Sequence, residues 1–143
     1  MPKVRRVVVT RVIPAPASAI FDLLADPRQH ARFDGSGTVR QVRQAPDRLS
    51  LGATFAMEMR IGVGYLTRNT VVAFDENRMI AWHHFARFVW RYDLEEVPDG
   101  TLVTESFDYD RPWAFVIEWL GWPENNRASM AQTLERLAAI VTA

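Results

Sequence analysis

Glu105 is the residue whose setting most suggests chemistry. In the stretch LVTESFDY, Val103, Glu105, Phe107 and Tyr109 alternate with Leu102, Thr104, Ser106 and Asp108. Successive side chains of a strand point to opposite faces. The aromatic set belongs inside, and it carries Glu105 in with it. A buried carboxylate is costly unless it is paired or protonated. Glu105 is therefore either a hydrogen-bond anchor or weak general base, or half of a structural pair with a rim arginine or with His84. Together with His84 and Tyr92 it could serve proton transfer.

Other chemistries lack their residues. There is no cysteine, which excludes thiol catalysis, disulfides and zinc ribbons. His30, His83 and His84 are the only histidines. Neighbours on a strand face opposite ways, so His83 and His84 cannot both ligate one ion, and no metal site is expected. Gly35-Ser36-Gly37 and Gly62-Val63-Gly64 read as turns, and no nucleophile elbow, phosphate loop or dinucleotide fingerprint is present. No cofactor is expected. Seventeen basic residues balance seventeen acidic ones, which gives no bulk charge for nucleic acid.

The strands that must position these groups are legible from alternation. In residues 53–61, Phe55, Met57, Met59 and Ile61 share the apolar face. In 88–97 the inward set is Phe88, Trp90, Tyr92 and Leu94. In 79–85, Ile80, Trp82 and His84 outweigh Ala81, His83 and Phe85 in bulk. Phe55, Met57, Met59, Trp82, Trp90, Tyr92 and Phe107 then line either a pocket for a lipid-like or aromatic molecule, with His84, Tyr92 and Glu105 as polar anchors, or a solid core.

Further strands are expected over residues 4–13, 38–44, 65–74 and 102–109. Short turns link the strands from residue 38 onward, which makes them an antiparallel meander. Between the first two strands the period changes. Pro16 opens a helix carrying Ile20, Leu23 and Leu24 on one face. Asp26-Pro27 starts a second, short one, with Asp26 as N-cap and Gln29 completing a capping box. Residues 124–142 form a final helix of about 28 Å, with Met130, Leu134, Leu137 and Val141 along one stripe. The order is α+β: a curved sheet of about seven strands wrapped around a long C-terminal helix.

The chain has 143 residues, 48% apolar and 24% charged, as expected for a single globular domain spanning 1–143. No run of 18 apolar residues exists for a membrane-spanning helix, and the apolar run after Arg6 breaks at Thr10 and Arg11, too soon for a signal peptide. The expectation is a soluble cytoplasmic protein. Residues 112–123 hold three tryptophans; Trp113, Phe115, Trp119 and Trp122 read as a lid, a homodimer contact or a membrane-docking edge, or else as a lead-in packed on the body.

Four segments in order carry a resemblance: VVVTRVIPAPASAIFDLLADPRQHARF, FDENRMIAWHH, WRYDLEEVPDGTLVTESFDY and ASMAQTLERLAAI. In these the chain resembles the START/Bet v 1-like (SRPBCC) superfamily, specifically its polyketide cyclase/dehydrase and lipid transport branch. The resemblance covers essentially the whole chain. It implies a helix-grip fold, with a ligand site between the sheet and the C-terminal helix. It further implies a binding or carrier protein for a small hydrophobic molecule, or alternatively a cyclase or dehydratase, or a protein-interaction or stress-response module.

Overall fold

The computed structural model describes residues 5–84 and 87–143. Seven strands form one antiparallel sheet: β1 (Arg6–Ile13), β2 (Val39–Gln44), β3 (Thr54–Ile61), β4 (Val63–Asp75), β5 (Met79–His83), β6 (Val89–Val97) and β7 (Gly100–Asp108). Their spatial order is β1-β7-β6-β5-β4-β3-β2. The meander from β2 to β7 is built of neighbouring hairpins, and β1 closes the far edge by pairing with β7 from Arg6↔Asp108 to Ile13↔Thr101. Gly100 sits in that closure at φ 136°, where a Cβ would overlap the Ile13 carbonyl oxygen. The expected beginning of the first strand at residue 4 and the expected end of the fifth at Phe85 lie outside the described residues.

Among the described residues four helices accompany the sheet: α1 (Ala17–Ala25), α2 (His30–Phe33), α3 (Ala114–Trp119) and α4 (Trp122–Val141). α1 buries Ile20, Phe21 and Leu24, while Leu23 stays half-buried. The expected second helix is instead a 3₁₀ turn, Pro27–Gln29, running into the single turn of α2. Asp26 does cap it, its carboxylate accepting from the Arg28 amide at 3.0 Å. Gln29 does not complete a capping box, because its side-chain oxygen is taken by the Arg32 guanidinium at 2.5 Å.

α4 packs along β1 and reaches β7, with α1, α2 and α3 against it. Met130, Leu134 and Leu137 are buried as their spacing requires, Val141 is half-buried, and Thr133 and Ala138 join the buried stripe. The loop after α2 is clamped to α4. The Gly35 amide donates to Thr133 Oγ1 at 2.8 Å, and a Cβ on Gly35 would overlap the Ser129 carbonyl oxygen. No helix of the described residues is long and apolar enough to cross a membrane.

Candidate functional site

The buried side chains between sheet and helices form two apolar clusters. The larger contains Phe55, Met57, Trp82, Tyr92, Val103 and Leu134. The smaller contains Val7, Phe88, Phe107, Tyr109, Ile117 and Met130. Val9 and Trp90, both half-buried, pack against each. The seam between the clusters is polar: Glu105 falls between Val103 and Phe107 on β7, and Thr133 falls between Met130 and Leu134 on α4.

Glu105 is 2% exposed, and its partner is neither an arginine nor His84. Cross-strand pairing sets it opposite Tyr92, whose hydroxyl donates to Glu105 Oε2 at 3.0 Å. Oε1 is buried without a hydrogen-bond partner among the described residues. Burial pushes the Glu105 carboxyl up to about 8, the Tyr92 hydrogen bond opposing this and the Asp34 carboxylate adding to it. The group is therefore a neutral acid at pH 7, with an O–H to donate. Burial, and then the neighbouring Glu105, raise the Tyr92 hydroxyl well above its ordinary range.

The predicted lining residues divide along the seam. Trp82 stacks on His30 at 5.1 Å, meets Phe55 edge-on at 5.7 Å and lies 5.7 Å from Tyr92. Met57 is buried beside them. Trp90 lies over its cross-strand neighbour Phe107, with ring centroids 4.5 Å apart. Met59 and Trp90 face inward by strand parity, yet both retain solvent exposure. Two open grooves of about 660 and about 590 Å³ are present, one around the β4–β5 turn and one between the end of β2 and β3–β4, the second lined by Phe55. Neither is lined by Glu105, Tyr92 or Trp90.

His84 follows the last residue of β5. Its ring meets Phe88 edge-on at 6.2 Å. Burial, with His83 adding to it, lowers its pKa to about 4. The third histidine, His30, belongs to the aromatic cluster instead. It is 5% exposed, Nε2–H donates to the Leu24 carbonyl at 2.9 Å, and burial lowers its pKa to about 4. Its spacing of three from Phe33, with both residues buried on one helical turn, is the sequence signal that could have found it. Thr67 and Asn69, also buried, were equally unannounced; Asn69 Nδ2 donates to the Phe55 carbonyl at 3.4 Å. Among the described residues no three His, Asp or Glu side chains converge on one point.

Residues 112–123 pack one face on the body and expose another. α3 buries Ala114 and Ile117 in the smaller cluster, while Trp113, Phe115, Trp119 and Trp122 remain exposed.

The sequence model of one family, described as polyketide cyclase / dehydrase and lipid transport, matches residues 4–142. The uncharacterized protein Rv0088 of Mycobacterium tuberculosis is 35% identical over 133 residues, which cover 88% of this chain and 59% of that protein. The chain thus spans less than two thirds of the length of this curated relative. Among solved structures, protein NE0264 from Nitrosomonas europaea superposes with a TM-score of 0.75 at 12% identity, covering 99% of this chain and 97% of that one. An AHSA1-like protein from Aeromonas hydrophila does so with a TM-score of 0.69 at 16% identity, over 94% and 93%. At those identities the likeness is one of fold.

Proposed function

This chain belongs to the polyketide cyclase / dehydrase and lipid transport family, and we propose that it is a binding or carrier protein for a small hydrophobic molecule held at the seam between sheet and α4. One observation carries the reading: a carboxyl group buried in an apolar interior, bonded to Tyr92 through one oxygen and without a partner at the other. A solid core would place an apolar side chain there, because an unsatisfied buried polar atom costs about 1–3 kcal/mol. A ligand oxygen would accept the Glu105 proton, while Met59, Trp90 and Phe107 would cover the apolar remainder. The retained exposure of Trp90, which lies over Phe107, supports an approach from its side.

The test is native mass spectrometry of protein purified from its own host without detergent, followed by titration with the neutral fluorophore N-phenyl-1-naphthylamine. A co-purified molecule of small-molecule mass, or saturable probe binding weakened by Glu105→Leu, is the expected result. A ligand-free mass with no saturable probe binding overturns the proposal.

A second reading, carbonyl activation in an aldol-type closure or dehydration, draws support from the same neutral acid. Glu105 backed by Tyr92 would polarise a ketone oxygen. His84 is held against Phe88, and the Glu105–Tyr92 hydrogen bond is what supports this reading. Loss of one water, or a new isomer of the same mass, after incubation with a ketone would favour the enzyme, and recovery of the unaltered ligand the carrier.

A further inference from the structure

Strand register gathers several segments at one end of the sheet. Arg6 pairs with Asp108, Asp108 with Val89, Val89 with His83, and His83 with Thr70. Beyond that line β4 runs on through residues 63–69, paired with β3 to the hairpin tip at Ile61↔Val63. The end of β7 leads into α3 and the start of α4 at this same end.

Most of the large apolar side chains left in solvent are here. On the helical arm Trp119 is 84% exposed and Phe115 65%, with Trp113 and Trp122 beside them. At the hairpin tip Val63 is 75% exposed, and Leu66 is exposed as well. Of the others, Val12 lies farther along β1 and Leu51 between β2 and β3. Scattered apolar residues need no explanation, but a group gathered at one end of a fold does.

The charge of this end is equally lopsided. Arg60 and Arg68 on the hairpin, Arg87 beside Phe88, Arg111 before α3 and Arg127 on α4 form no ion pair among the described residues. Arg111 donates instead to the Arg87 carbonyl and Arg127 to the Val8 carbonyl, which leaves their charge uncompensated. The nearby acids are engaged: Asp110 and Glu118 with Arg5, and Asp108 with Arg6. Glu124 is the exception. The chain's overall neutrality conceals a cationic rim around an apolar end.

We infer that this end docks on an anionic lipid surface, with the tryptophans of the α3 arm and the tip of the β3–β4 hairpin entering the headgroup layer and the five arginines facing lipid phosphates. Indole rings favour that depth, where one side is apolar and the other wet. Basic residues near an anionic leaflet add attraction that salt weakens. A second copy of the chain fits less well. A two-fold interface sets a patch against itself, which would bring arginines against arginines. This inference is independent of whether the seam holds a ligand.

The experiment is flotation of the full chain with vesicles of phosphatidylcholine alone and of phosphatidylcholine mixed with phosphatidylglycerol. Expected are flotation with the anionic vesicles only, release by added salt, and a blue shift of tryptophan emission on binding. The double substitution Phe115→Ser/Trp119→Ser should weaken binding at least about tenfold, with the thermal transition unmoved. Leu51→Ser, at an exposed apolar site elsewhere, should bind as the parent does. Failure to float with anionic vesicles overturns the inference, as does equal flotation of the double variant. So does a dimer in sedimentation that the double variant dissociates, which would assign the face to a second copy.

Discussion

Glu105→Gln removes an ionisable group while leaving an amide oxygen to accept from Tyr92, so it isolates the cost of keeping this carboxyl in the interior. The folded-state value of about 8 lies above the ordinary 4.5, so the folded protein holds this proton more tightly than the unfolded chain. Its stabilising contribution is full below pH 4.5 and is lost as pH rises to 8. His30 and His84 behave oppositely. Burial lowers them from 6.5 to about 4, so their contribution is full above pH 6.5 and is lost as pH falls toward 4. Above pH 6.5, of these three, only Glu105 still distinguishes the two states. At about 1.4 kcal/mol per pH unit, the wild type should lose about 2 kcal/mol between pH 6.5 and pH 8 through this group. Urea unfolding of both proteins at those two pH values measures it. Wild type should weaken by about that amount relative to the variant, and its stability should peak near pH 6.5. Parallel behaviour of the two proteins across this window would refute the assignment of a neutral buried acid.

Gly35→Ala forces a Cβ against the Ser129 carbonyl oxygen and so pries the α2–β2 loop from α4; a loss of about 2–4 kcal/mol in chemical denaturation is expected. Leu137→Ala empties a fully buried position on α4 and should cost about 2–5 kcal/mol, read as a lowered urea midpoint with an unchanged slope.

The lining of the interior was legible wherever period-two alternation separates apolar from polar residues. Phe55 and Met57 on β3, Trp90 and Tyr92 on β6, and Glu105 and Phe107 on β7 all face the side their spacing assigns. On β5 the choice by bulk also holds, since Ile80 and Trp82 are both buried in the larger cluster. β4 offered no such guide. Tyr65, Thr67 and Asn69 alternate with Leu66, Arg68 and Thr70, and the buried residues include the polar Thr67 and Asn69. Packing against β3 decides that face, and local composition does not contain it. The hydrogen bond between Tyr92 and Glu105 required register, which alternation alone leaves open by steps of two. Asp34 reaches the pair only through a loop anchored on Thr133, 98 positions beyond Gly35 in sequence. His84 stands one residue past the end of the ladder, where strand parity no longer fixes a side chain's direction.

The pairing of β1 with β7 also sets an order of assembly. Every other strand contact joins sequence neighbours, so the meander from β2 to β7 can form hairpin by hairpin as the chain leaves the ribosome. β1, made first, has no partner until Thr101 to Asp108 have emerged, and α4 follows later still. Until then its run of valines is an unpaired edge, exposed to chaperones and to other nascent chains. Closing this longest loop is the slow step the topology imposes. The same step brings the β1 edge, β7 with Glu105, and then α4 together, so the interior exists only once α4 has been made.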